Sequence, residues 1–68
     1  MTTEIYTVEG MTCGHCAASV TREVRGVAGV SEAAVDLAGN TVTVSGEFAE
    51  ADIAAAVAEA GYTLAGRA

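Results

Sequence analysis

Along 68 residues the spacing of the apolar side chains alternates between a period of two and steps of three and four, and this alternation restricts the fold more than any other feature. Residues 4–8 set Tyr6 and Val8 on one face with period two, which predicts a strand ended by Glu9 and Gly10. From Gly14 to Arg25, and just beyond, Ala17, Val20, Val24 and Val27 recur at helical spacing and predict a helix packed on one side, with Ser19, Arg22 and Glu23 on its exposed face. Thr12 is the expected N-cap, Arg22 and Arg25 suit the negative end of the helix dipole, and Gly26 is the stop.

Residues 30–37 and 41–45 are rich in β-branched side chains and are joined by "AGN", a glycine-containing turn of hairpin length. They are expected to pair antiparallel, with Val35 and Leu37 facing the core on one strand and Val42 and Val44 on the other. A second helix is expected over 50–60, with Ile53, Val57 and Ala60 inward, Phe48 stapled onto Ile53 and Gly61 as its end. It has no good N-cap residue, although Glu50 and Asp52 suit its positive end. Residues 62–64 read as a short edge strand.

The order strand, helix, strand, strand, helix, strand predicts an α+β, ferredoxin-like βαββαβ fold. In that fold a four-stranded antiparallel sheet carries both helices on one face. Residues 1–68 are expected to form a single domain. A domain of this size buries only about 60% of the surface that its unfolded chain exposes, so a deep substrate cleft is not expected. No stretch approaches the ~20 apolar residues that span a bilayer, and the first ten residues lack the pattern of a signal peptide. Membrane insertion is therefore not expected and the cytoplasm is the expected compartment. With no Lys, three Arg and a net charge of -6, the chain cannot neutralise a row of phosphates, so nucleic acid is not an expected partner. A basic protein partner is permitted.

The chemistry sits in "GMTCGHC", residues 10–16, which holds both cysteines of the chain. Cys13 falls in the loop after the first strand and Cys16 in the first turn of the first helix, where unpaired N–H groups and the helix dipole favour thiolates. Cytosolic cysteines at such spacing bind metal or do catalysis more often than they staple a fold. A structural zinc site uses four ligands and an iron–sulfur cluster four cysteines, whereas two Cys and one His are all that this chain offers. A two-coordinate bis-thiolate suits Cu(I), which soft sulfur ligands select.

The string "GMTCGHC" at a strand-to-helix loop, with "GY" at residues 61–62 after the second helix, resembles the heavy-metal-associated domain of small bacterial copper chaperones, over nearly the whole chain. The resemblance implies Cu(I) bound by Cys13 and Cys16 and passed to a copper-transporting P-type ATPase. It also implies that copper bridges two copies into a homodimer, the metal-free protein being a monomer. The short "SGEFAEA" link before the second helix departs from the family pattern. Excised N-terminal domains of such ATPases look alike. A start at Met1 and an end just past the last strand favour a free chaperone. Mercury carriers share GMTC, and zinc or cadmium carriers tend to place Asp where Thr12 stands, which tips the metal to Cu(I).

"CGHC" is also the redox tetrapeptide of protein disulfide isomerases. Thioredoxin-type domains need about 100 residues and a cis-proline facing the disulfide, with Trp usually before the first Cys. Here Thr12 precedes Cys13, and Trp and Pro are absent, so a non-enzyme is expected. His15 is expected to face solvent and tune the thiolates rather than ligate. Met11 is expected to plug the core beneath the loop rather than lend its thioether. Tyr62 reads either as a plain core residue or as an aromatic lying beside the metal loop.

Overall fold

Tyr6 and Val8 are 1% and 0% exposed, whereas Ile5, between Glu4 and Tyr6 in the chain, is 47% exposed, so one face of the first strand is covered and the other open. The computed structural model describes residues 2–12 and 14–68. Within them lie β1 (Thr2–Glu9), α1 (Gly14–Arg25), β2 (Val30–Asp36), β3 (Thr41–Gly46), α2 (Glu50–Glu59) and β4 (Thr63–Arg67). The four strands form one antiparallel sheet in the order β2-β3-β1-β4, with α1 packed over β2 and α2 over β4. This is the expected ferredoxin-like arrangement.

The core is the buried face of the two central strands, Tyr6 and Val8 with Val42 and Val44, meeting Val20 and Val24 of α1 and Ile53 and Val57 of α2. Tyr6 tolerates burial because its polar end lies near charge. Burial raises its phenol above the ordinary tyrosine range, Glu50 and then Glu4 push the same way, and Arg67 opposes them by its charge and a hydrogen bond. Arg67 Nε lies 3.5 Å from Glu4 Oε1 and 4.0 Å from Glu50 Oε1, tying β4 to the start of β1 and to the first turn of α2.

Several boundaries differ from expectation. β1 and β4 are longer than the side-chain pattern indicated, because ladder hydrogen bonds continue past the last apolar residue. In β4, Ala65 is the extra residue of a bulge that carries pairing on to Arg67. Tyr62 precedes this strand instead of beginning it. Val27 lies beyond α1 in the turn that follows and still packs on the core. On β2 the fully buried residue is Ala33, while Val35 and Leu37 are half-buried, as befits an edge strand.

α2 begins with Ala49 at its N-cap, which makes no side-chain capping bond, as its sequence implied. Phe48 and Ile53 accordingly occupy the N′ and N4 staple positions, and both pack into the core. Its C-terminus is a Schellman motif: Gly61 N–H donates to Ala58 O at 2.9 Å and Tyr62 N–H to Val57 O at 3.1 Å, with Gly61 at φ 95°.

The tightest backbone crossing joins the entry of β2 to the exit of β3. Glu47 N–H donates to Gly29 O at 2.9 Å, and a Cβ on Gly29, at φ +92°, would collide with the Glu47 carbonyl. A Cβ on Gly46 would collide with Gly29 O in turn. Both obstacles are backbone, which cannot swing aside. Gly29→Ala and Gly46→Ala should each cost about 2–4 kcal/mol in urea unfolding. Gly61→Ala, at a positive φ with nothing within 4 Å, should cost only about 1–2 kcal/mol. Equal costs at the three sites would contradict the crossing.

Candidate metal-binding loop

Covering one face of β1 aims the chain leaving it across the end of the sheet. Glu9 is the last strand residue, Gly10 turns at φ 100°, and Met11 returns to the core at 6% exposure. Thr12 is exposed. Cys13 lies outside the described residues. Gly14 and His15, the first residues of α1, are exposed, and Cys16 is 7% exposed within the core cluster. The Thr12 hydroxyl stands 3.8 Å from Cys16 Sγ, a sulfur-length hydrogen-bond contact.

Two other segments meet at this end of the sheet. Val8 N–H donates to Asn40 O at 2.8 Å, which holds the β2–β3 turn beside the end of β1, with Asn40 in the left-handed region at φ 56°. The pairing of Glu9 with Thr63 brings the end of α2 alongside. There the Tyr62 ring lies against Gly10: a Cβ on Gly10 would stand 3.2 Å from Tyr62 Cδ1. The structure thus gathers Met11, Thr12, Cys16 and Tyr62 around the loop and leaves His15 facing solvent.

Two features were missed in the sequence. Cys16 belongs to the buried stripe of α1 with Val20 and Val24, and the four-residue spacing of these three is the sequence signal of its place in the core. The contact of Tyr62 with Gly10 had no local signal, because it joins residues far apart in the chain. Among the described residues, no three His, Cys, Asp or Glu side chains gather into a group that could hold a metal ion. No helix among them is long and apolar enough to cross a membrane.

The model of the heavy-metal-associated domain matches residues 5–63, the span from β1 to the start of β4. The chain belongs to that family. This heavy-metal-associated chain is 45% identical over 65 residues to Copper-transporting ATPase 2 of Rhizobium meliloti, a match covering 91% of the chain and 8% of the transporter. It is 35% identical over 67 residues to Copper chaperone CopZ of Staphylococcus aureus, covering 94% of the chain and 98% of the chaperone. The solved structure of a CopZ metallochaperone matches it with a TM-score of 0.88 at 33% identity, over 93% of this chain and 98% of that one. Family and fold are therefore those expected from "GMTCGHC" and the order of elements.

The contact between Gly10 and Tyr62 gives a measurable coupling. Gly10→Ala should destabilise the metal-free protein by about 2–3 kcal/mol, from the positive φ and the crowded ring together. In a Tyr62→Ala background the same substitution should cost about 0.5–1 kcal/mol less, since only the backbone strain remains. Urea unfolding of the four proteins checks this, and additive costs would mean that the ring does not brace the loop.

Proposed function

We infer that this protein binds one Cu(I) through the thiolates of Cys13 and Cys16 and passes it, by thiolate exchange, to a copper-transporting P-type ATPase. The carrying observation is the loop itself: the chain's only two cysteines stand three residues apart where a strand runs into a helix. Two sulfurs on opposite sides of one ion, with bonds near ~2.3 Å, stand ~4.5 Å apart, within reach of such a loop. Cys16 supplies a sulfur held by the core, with the Thr12 hydroxyl against it. A two-coordinate ion leaves room for an incoming thiolate to bind before an outgoing bond breaks, so bare Cu(I) is never released. The likeness to a copper chaperone along its whole length and to a copper ATPase over a short part supports this reading.

The residues around the site then divide in role. Met11 plugs the core beneath the loop, Tyr62 braces Gly10 from the far side, and His15 faces outward and is not a ligand. The metal contributes little to folding, because the core is assembled from residues of every element, unlike that of a zinc finger. The protein works in the cytoplasm, where its thiols stay reduced, as a carrier and not an enzyme. It is monomeric without metal, and copper shared between two loops bridges a pair of copies.

The higher identity to a transporter than to a chaperone, 45% against 35%, favours a second reading in which this sequence is the metal-binding domain of an ATPase. The size of the native polypeptide in cell extracts separates the two.

Competition with a Cu(I) chelator under anaerobic, reducing conditions should show one copper per monomer. Cys13→Ser or Cys16→Ser should weaken binding by orders of magnitude, whereas His15→Ala should leave the stoichiometry intact. Unchanged affinity in the double Cys→Ser variant would remove the site. In a second experiment the copper-loaded protein is mixed with an ATPase metal-binding domain in the presence of a chelator that captures free Cu(I). Transfer should depend on partner concentration and bypass the chelator. A rate set by spontaneous release alone would make the protein a copper store.

A further inference from the structure

The helical face carries a groove whose lining includes none of residues 10–16. It is an open trough of about 590 Å³ between the C-terminal half of α1 and the outer side of α2. Its floor is Gly26, Val27, Ala28, Ala55 and Ala56, small side chains that keep the space between the helices unfilled. Its rim carries Glu23, Asp52 and Glu59 against the single cation Arg22. Beyond Ala28 and Asp52 a second hollow, lined by Glu47, Phe48 and Ala49, continues it toward the N-terminus of α2. Together they follow α2 from Ala49 to Glu59, about 15 Å of helix.

We propose that this groove docks a cationic, amphipathic helical segment of a partner protein, apolar side chains on the alanine floor and Lys or Arg against the acidic rim. Shape excludes a small-molecule site, because such sites enclose about 70–90% of their ligand and this one is open along its length. The acidic rim argues against nucleic acid and against the acidic surface of a second copy as the groove's occupant, and a pair of copies bridged by copper at the loop is a separate contact. A helix laid in a groove matches an apolar floor with charged edges, and the opposite charge on the segment speeds encounter and sets its direction. On α1 the groove lies at the helix's C-terminal end, with Gly26 about 18 Å along the helix from Gly14, whereas on α2 it runs to Glu59, in the last turn before Gly61 and Tyr62. The inference goes beyond the copper reading and does not depend on it.

The test uses the reduced, metal-free protein and a synthetic peptide of ~15 residues with Leu at helical spacing on one face and Lys on the others. Titration followed by amide NMR should saturate, with the largest shifts at Gly26, Ala28, Ala55 and Ala56. The paired variant Asp52→Lys with Glu59→Lys should bind about tenfold more weakly, and Ala55→Phe, which fills the floor from an exposed position, should also weaken binding. A control with the same charge change elsewhere, Glu9→Lys with Glu32→Lys, should bind nearly as the parent does. Should Ala55→Phe fail to fold, the exposed Asp52 and Glu59 positions still decide. The proposal is overturned by an absence of saturable binding, by shifts centred on the open sheet face, or by a control that loses as much affinity as the groove variant. None of these outcomes depends on copper, so the groove and the metal site fail or stand separately.

Discussion

The molecule depends on covering one face of β1. Glu4, Tyr6 and Val8 share that face, and the side chains that bury it come from both helices and the neighbouring strand β3. The same buried row continues past the strand through Met11 and Cys16, so the loop between them is pinned at both ends by core packing. Core packing of Cys16 and the Tyr62 ring against Gly10 hold the described flanks of the loop.

The two ends of the sheet do different work. At the loop end, the β2–β3 turn, Gly10 and the Schellman end of α2 converge, and their contacts are mostly backbone and ring packing. At the other end, about 20 Å away by strand rise from Glu4 to Gly10, Arg67 with Glu4 and Glu50 closes over the Tyr6 hydroxyl. These ion pairs thus lie at the end of the sheet away from Gly10 and Met11. The two helices bring their charges to one groove: Arg22 of α1 faces Asp52 and Glu59 of α2, while Arg25 turns to Glu32 on β2 and Glu50 to Arg67. A basic residue of α1 and acidic residues of α2 therefore line one surface.

Sequence alone was enough for the periodic parts of the structure. The span of α1, the hairpin of β2 and β3, and the helical layer over one sheet face follow from local rules: side-chain periodicity, turn composition and helix-ending glycines act over a few residues and are readable in order. The place of the two cysteines in the sequence, between the first strand and the first helix, follows from the same rules, and so does the expectation of soft-metal chemistry, because it needs only residue types and a count of donors.

Tertiary structure decided what depends on residues distant in the chain. The requirement for Gly29 and Gly46 comes from one backbone segment crossing another, and neither glycine is distinguished from the others by its neighbours in sequence. The extension of β4 to Arg67 is set by hydrogen bonding to β1, which the side-chain pattern does not encode. Cys16 as a core residue, Tyr62 against Gly10 and the groove between the helices all arise where separate elements come together. Period and composition act along the chain and could be read from it; contact, exclusion and shared charge act across space and became visible only when the sheet had brought its strands and helices together.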